Sequence, residues 1–390
     1  MTILEEWRRT SPNFNESHEQ WADTVKRFVE NEITPNIDAW EEAGELPREL
    51  HKKAAEVGIL GLGFPEEYGG VDEGIDRFHG MVTAHEMAQV GAGGLLAGLM
   101  VHAVGLAPVL TLGDTAIKRR IAPDVLSGDK LISLAVTETS GGSDVSQLQT
   151  RGELNGDHYI VNGSKTFITG GMRSDYFTVA VRTAGDGPRG ISLLLLEADM
   201  PGVERTALGK MGWHCSDTAT LYFDNVKVPV ENRIGPDGDA FLAMMTNFNG
   251  ERLGIASTAT AFSTVCLEEA LDWARERETF GKKLVSRQVI QHKFAEMLRK
   301  IYACLAWIDR AAIAFDQGHD NGGELALLKV QATRTMEFCA REAAQVMGGA
   351  SFMKGCRVER IYREVRANAI SGGSEEIMLE LAARQFGLTK

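Results

Sequence analysis

The 390-residue sequence predicts an α+β protein: a helical N-terminal domain, a central β-domain and a C-terminal helical bundle. Three changes of pattern lead to this reading. Apolar residues recur at helical spacing up to about residue 131, the period shortens to that of strands between 132 and 238, and helical spacing returns from 239 onward. The expected domains are therefore 1–131, 132–238 and 239–390.

The elements follow in order. Trp21, Val25, Phe28, Val29 and Ile33 fall on one helical face, and "PRELHKKAAEVGILGLG" runs as a helix into its glycines. "GFPEEYGGVDEG" is a breaker-rich loop, and a long helical run starts near Ile75. "DHYIVNGSKTFITGG", "DYFTVAVRT", "GISLLLLEA" and "TATLYFDNVKVP" are short, rich in β-branched and aromatic residues, and separated by turn residues. Long helical segments such as "ASTATAFSTVCLEEALDWARERE" then continue to the end as a bundle.

Composition narrows the function classes. A net charge of −13 with no sustained basic run argues against a nucleic-acid partner. The five cysteines are scattered and lack C-x-x-C spacing, which points to reduced thiols in a reducing compartment and away from zinc, so no metal is expected. The start, "MTILEEWRRTSPNFNESHEQW", has neither a signal core nor the look of a transit peptide, and the expected location is cytoplasmic. No apolar run approaches membrane-spanning length. "GAGGLLAGLMVHAVGLAPVL" comes closest, and its glycines and His102 favour a buried helix, so no membrane span is expected.

Several motifs carry chemistry with more than one meaning. The loop "TETSGGSDVSQLQT", Thr137 to Thr150, offers backbone N–H groups and hydroxyls to a heterocycle or phosphate, or simply joins two strands in solvent. "NGSKTFITGG", Asn162 to Gly171, reads as a hairpin turn leading into a strand with Phe167 and Thr169, where an aromatic stacks on a ring or enters the core. "RETFGKKLVSRQ" sets Arg277, Phe280 and Gln288 where they meet an anion or form a solvated helix end. Gly348 and Gly349 in "QVMGGA" permit close backbone approach or cap a helix.

Taken together, in this order and in an α-β-α layout, these motifs resemble the acyl-CoA dehydrogenase family of flavoenzymes. The resemblance runs through "GILGLGFPEEYGG", "LAVTETSGGSD", "NGSKTFIT", "KMGWHCSDTATLYFDNVKVPVENRIG", "RETFGKKL", "QVMGGA" and "SGGSEEIM". It implies FAD as cofactor. The flavin would be held by the loop with Leu134, Val136, Thr137, Gly142 and Ser143 and by the strand Phe167-Ile168-Thr169. Thr137, Ser143 and Thr169 would bond the ring edge, with Phe167 packed beside it. Arg277, Phe280, Gln288, Gln345 and Gly349 match positions that hold the adenosine and pyrophosphate of a neighbouring chain's FAD, and Ser374 and Glu376 match positions that complete the site. Ser143, Phe248, Asn249, Arg252 and Gly373 fall where the family binds acyl-CoA. The resemblance further implies a homotetramer, a dimer of dimers, that passes electrons to electron-transfer flavoprotein. Phe167 stands where tryptophan is common, Thr139 where proline is usual and His214 where arginine is frequent. His214 receives no role.

The reaction implied is removal of a proton from Cα of an acyl thioester and of a hydride from Cβ to flavin N5. It needs a desolvated carboxylate and hydrogen bonds to the thioester oxygen. Most of the family carries the base directly before the C-terminal Gly-Thr/Ser, and that position here is Gly372. Glu375 and Glu376 fall in the first turn of a helix capped by Ser374, where the dipole and water favour an ordinary helix-start role. The long-chain and isovaleryl branches place the base on an earlier helix, directly before an arginine. Glu251-Arg252 in "FNGERLGIAST" matches that pair, and Glu251, Gly254, Ile255 and Thr258 share one small or apolar face. The expected base is Glu251, with the Gly372 N–H and a ribityl hydroxyl of FAD on the thioester oxygen. The same fold supports acyl-CoA oxidases, flavin-dependent monooxygenases and non-catalytic subunits of hetero-oligomers. The retained loop motifs and the Glu251-Arg252 pair argue against the last. Gly91 to Gly105 falls where the family's acyl pocket lies, and its small residues either leave room for a tail or reflect close helix packing.

Overall fold

The computed structural model describes residues 2–238, 240–319 and 321–389, and of 241–243 and 245–247 the backbone only. Asp239, at the expected domain boundary, lies outside the described residues. Among the described residues eight α-helices precede the strands: α1 (Ile3–Thr10), α2 (Glu16–Phe28), α3 (Ile37–Ala43), α4 (Arg48–Glu56), α5 (Arg77–Ala88), α6 (Gly93–Leu99), α7 (Val101–Leu112) and α8 (Thr115–Leu126). Strands β1 (Ile132–Ala135), β2 (Arg151–Asn155), β3 (His158–Thr169), β4 (Tyr176–Arg182), β5 (Ile191–Glu197), β6 (Val203–Ala207), β7 (Thr218–Pro229) and β8 (Arg233–Ile234) follow. Then come α9 (Ala240–Glu276), a small hairpin of β9 (Glu278–Thr279) and β10 (Lys282–Lys283), α10 (Gln288–Asp316), α11 (Gly322–Met347), α12 (Arg357–Ile370) and α13 (Glu375–Gln385). The order is helices, sheet, helices.

Packing divides the chain differently from its periodicity. One compact unit comprises Met1–Asp38, Asp76–Gly93 and Asn249–Lys390, the other Ala39–Ile75 and Gly94–Phe248. The early helices are thus shared out: α1, α2 and α5 belong with the C-terminal helices, and α4, α7 and α8 with the sheet.

In the helical unit, Asn15 and Asp76 cap α2 and α5 in reciprocal boxes. His18 Nδ1 accepts the Asn15 N–H at 3.0 Å, and His79 Nδ1 the Asp76 N–H at 3.3 Å. His18, Asp76 and His79 bring potential metal-ligand atoms within 4.8 Å of one another. Their hydrogen bonds, including His18 Nε2 to Asp76 Oδ1 at 2.9 Å, account for the cluster as paired helix caps. α11 lies along α10, α12 and α13, with Ala326, Val330, Met378 and Ala382 closing one apolar seam.

In the other unit the strands run in the order β6-β7-β3-β2-β4-β5-β8, with β1 parallel to β4. Phe177, Val179, Val181, Leu194 and Leu196 join one apolar cluster with Tyr159, Leu221 and Val228. Their alternates Ala180, Ile191, Leu193 and Leu195 join another with Leu106, Val109, Ile121 and Val125 of α7 and α8. Both faces of β5 are covered, which is why "GISLLLLEA" is apolar throughout instead of alternating.

Two expectations change here, and one left open is narrowed. Asn162-Gly163 is not a hairpin turn: β3 continues through it with a bulge opposite β7, and the turn lies between Asn155 and His158. Gly163 is required because its φ is +144° and a Cβ would lie 2.7 Å from Thr150 Cα, so the turn-like dipeptide marks close backbone approach. Gly93–Leu112 does reach 20 residues with membrane-spanning hydropathy, contrary to expectation. It is broken into α6 and α7, however, and α7 packs on the sheet: Thr178 Oγ1 donates to the Gly105 carbonyl at 2.7 Å, and buried His102 bonds the Leu60 carbonyl at 2.9 Å. Finally, the small residues of this run reflect packing. A Cβ on Gly94, Gly98 or Gly105 would lie 2.9, 3.0 and 2.8 Å from Cys215 Sγ, Leu46 Cδ1 and the Ile132 carbonyl, so these three glycines serve close approach of neighbouring segments.

Candidate active site

Glu251 is carried on α9 with Ile255 one turn further along the same face. That face meets the turn between α12 and α13: a Cβ built on Gly372 would lie 2.6 Å from Ile255 Cδ1. Gly372 and Gly373 have φ of +65° and +110°, a conformation that other residues adopt only with strain. Arg252, about a quarter-turn from Glu251 around the helix, points differently. Its guanidinium is buried, with Nη1 donating to Asn249 Oδ1 at 2.8 Å and Nε to the Gly372 carbonyl at 3.3 Å. Arg252 thus fastens the glycine turn to α9.

The Glu251 carboxylate is of a different character. Oε2 is shut off from solvent without a hydrogen-bond partner among the described residues. Burial raises the proton affinity to about 7, and the positive charges of Arg252 and Lys329 hold it from rising further. Neither C-terminal glutamate shares this setting. Glu375 pairs with Arg334 at 2.9 Å. Glu376 is exposed, and hydrogen bonds to its own backbone and to Ser374 hold its carboxyl below the usual range. Ser374 occupies the N-cap position of α13 but makes no capping bond to the backbone, so its expected cap is absent.

Lys329 of α11 escaped the sequence reading. It is fully buried, and its Nζ donates to the Ala369 and Gly373 carbonyls at 2.7 and 2.8 Å. The one available signal was a lysine inside the apolar "LALLKVQA".

The flavin-type residues gather in the sheet unit. β1 places Leu134 opposite Thr178 of β4, with Val136 just beyond its end. The Thr166 N–H donates to the Thr137 carbonyl at 2.8 Å, and Ser133 Oγ donates to the Thr169 carbonyl at 2.7 Å. These bonds set the loop from Val136 beside the end of β3. Ile168 turns into the core. Phe167 is 68% exposed and has φ of +60°, an outlier for an aromatic residue. Gly142 and Ser143 are exposed on the loop. The hydroxyls of Thr137, Ser143 and Thr169 make no hydrogen bond among the described residues. An open aromatic face beside free hydroxyls is a donor set that fits a polar heterocycle.

A second missed pair shapes this loop. Lys165, fully buried on β3, reaches Glu138 Oε1 at 2.7 Å and the Val136 carbonyl at 3.1 Å. Glu138 also accepts the N–H groups of Gln149 and Thr150 at 2.6 and 2.9 Å, tying both ends of the loop together. Burial alone would raise the Glu138 carboxyl, but the Lys165 ammonium and these bonds outweigh it and hold it below its ordinary range. Lys165→Met strands a buried carboxylate and is expected to cost about 3–5 kcal/mol. Urea unfolding measures this, and an unchanged midpoint would show that the pair adds nothing.

The remaining predicted residues lie at the surface of the helical unit. Arg277, Phe280 and Gln288 flank the β9–β10 hairpin, where Phe280 is 98% exposed with φ of +50°. Arg277 carries no ion pair among the described residues. Gln345 and Gly349, at the end of α11, are likewise exposed. Phe248 falls in the other unit and packs against its apolar cluster. His214 bonds the Lys210 carbonyl through Nε2 at 3.2 Å and stays without an assigned role.

These features coincide with one known family. The family models for the acyl-CoA dehydrogenase N-terminal, middle and C-terminal domains match residues 15–129, 133–226 and 238–387. Acyl-CoA dehydrogenase AFT10-1 of Alternaria alternata is 36% identical over 97% of this chain and 94% of its own. The mitochondrial long-chain specific acyl-CoA dehydrogenase of Mus musculus is 32% identical over 96% of this chain and 87% of its own. The crystal structure of an acyl-CoA dehydrogenase from Geobacillus kaustophilus superposes with a TM-score of 0.93 at 33% identity, covering 97% of this chain and all of that one. The chain belongs to the acyl-CoA dehydrogenase family, a family of FAD-dependent oxidoreductases with members that act on acyl-CoA thioesters.

Proposed function

We propose that this protein dehydrogenates an acyl-CoA thioester to the trans-2-enoyl-CoA, with Glu251 removing the α-proton. The observation that carries this reading is Glu251 Oε2, shut off from solvent and without a hydrogen-bond partner among the described residues, on the helix face that meets Gly372, where the family's usual glutamate is missing. A proton affinity near 7 suits a general base working at neutral pH. The Gly372 N–H is assigned to the thioester oxygen, where a fixed donor stabilises developing negative charge. Arg252 and Asn249 keep that turn in place. Bound FAD supplies the acceptor for the β-hydride. Thr137, Ser143, Thr169 and the Phe167 ring would hold its flavin, and Arg277, Phe280, Gln288, Gln345 and Gly349 the adenosine and pyrophosphate of a neighbouring chain's cofactor in a homotetramer. Five free thiols suit a cytoplasmic location.

Electron-transfer flavoprotein is the proposed electron acceptor. Buried Val136 and Ile168 line up with a dry flavin site, in which oxygen reduction, which develops charge, is poorly supported. Anaerobic acyl-CoA should bleach the yellow protein, and turnover with electron-transfer flavoprotein or a ferrocenium acceptor should greatly exceed turnover with air. Stopped-flow reoxidation of the product-bound, substrate-reduced enzyme decides this. Reoxidation by air as fast as turnover, with stoichiometric peroxide, would make the protein an oxidase, and a hydroxylated product would make it a monooxygenase. Assaying a series of acyl-CoA thioesters identifies the chain it prefers.

A further inference from the structure

The buried cation at Lys329 calls for a function, because an ammonium taken out of water costs several kcal/mol unless its surroundings repay it. Two of its three protons are satisfied by the Ala369 and Gly373 carbonyls, which bracket Gly372. Ala369 lies in the last turn of α12, where carbonyls lack helical partners and the helix dipole favours a cation. A neutral amide could make such bonds equally well, so the charge itself needs a partner. The charged groups that act on Lys329 are, strongest first, Glu375 of α13, Arg252 and Glu251 of α9 and Glu376 of α13. Arg252 repels it, Glu375 is paired with Arg334, and Glu376 is exposed to water. Glu251 remains, with its Oε2 shut off from solvent and without a hydrogen-bond partner among the described residues.

We propose that Lys329 is a positioning residue for the base: it pins the turn carrying Gly372 through the Ala369 and Gly373 carbonyls, and its ammonium joins Arg252 in favouring the ionised form of Glu251. The inference rests on the reading of Glu251 as the general base. Burial lowers the lysine to about 8, so it stays protonated at neutral pH, where that charge is needed. One side chain thereby couples the base on α9 to the oxyanion-binding backbone between α12 and α13.

The test is the pH dependence of flavin reduction by acyl-CoA in FAD-loaded Lys329→Met. The acid limb, set by ionisation of Glu251, should move up by about one pH unit, which gives roughly a tenfold loss at pH 6 that shrinks towards pH 9. An unmoved acid limb, whether or not the rate falls uniformly, overturns the proposal and leaves Lys329 a structural pin. If Lys329→Met alone does not fold, Lys329→Met/Glu251→Gln decides: recovery of folded protein supports the charge coupling, and a double variant as unfolded as the single one overturns it. Failure of the base reading is seen separately, as full activity of Glu251→Gln with wild-type Lys329.

Discussion

Glu251→Gln should retain FAD and bind acyl-CoA while losing about 10²–10⁴-fold in the rate of flavin reduction, the usual contribution of a general base. Glu376→Gln should stay active, since its carboxylate is exposed at the start of α13. Rapid-mixing measurements on both variants settle the assignment, and an active Glu251→Gln beside a dead Glu376→Gln would reverse it. The wild-type rate should fall as pH drops below about 7, where Glu251 becomes protonated. The same residue has a signature in stability. Its proton affinity in the folded protein, about 7, lies above the ordinary 4.5. The stabilisation from the protonated form is therefore complete below pH 4.5 and is lost as pH rises through 7. At pH 8, substrate-free Glu251→Gln should be more stable than wild type by roughly 1–3 kcal/mol, with the difference vanishing towards pH 4.5. Denaturant unfolding of the holoprotein at the two pH values measures it.

Arg277→Ala should weaken FAD retention by about 10–100-fold, the value of one charge-assisted bond to a pyrophosphate. The guanidinium is exposed and carries no ion pair among the described residues, and its neighbour Phe280 is held outward in a strained conformation. Both features suit residues that serve a neighbouring chain, so FAD content should follow oligomerisation. Sedimentation with absorbance at flavin wavelengths tests this directly. A monomer that carries stoichiometric FAD would rule out shared sites.

The layout and much of the candidate site could be read from the chain because the relevant signals are local. The period of the apolar residues separates helices from strands, and contiguous motifs such as "TETSGGSD" and "SGGSEEIM" carry their chemistry within a few residues. The glycine at 372 and the adjacent Glu251-Arg252 pair were equally visible. Local signals with two meanings were harder to read. Asn162-Gly163 has the composition of a turn, yet its glycine answers to Thr150 packed against it. The Gly94, Gly98 and Gly105 series fitted either a pocket wall or close packing, and the structure sets a neighbouring segment against each position.

What the sequence by itself determined was the order of domains, the family and the residue types available for proton removal. Tertiary structure alone decided which charges are buried and what they face. Arg252 is bonded to a carbonyl 120 residues away, Lys329 to one 44 residues away, and Lys165 to a carboxylate 27 residues away. A lysine in a strand or helix reads as a surface residue until the chain closes around it, because its cost or use depends on desolvation and on partners supplied by distant segments. The same holds for Glu251: its position could be read from the motif, but its basicity arises only from burial in the folded unit.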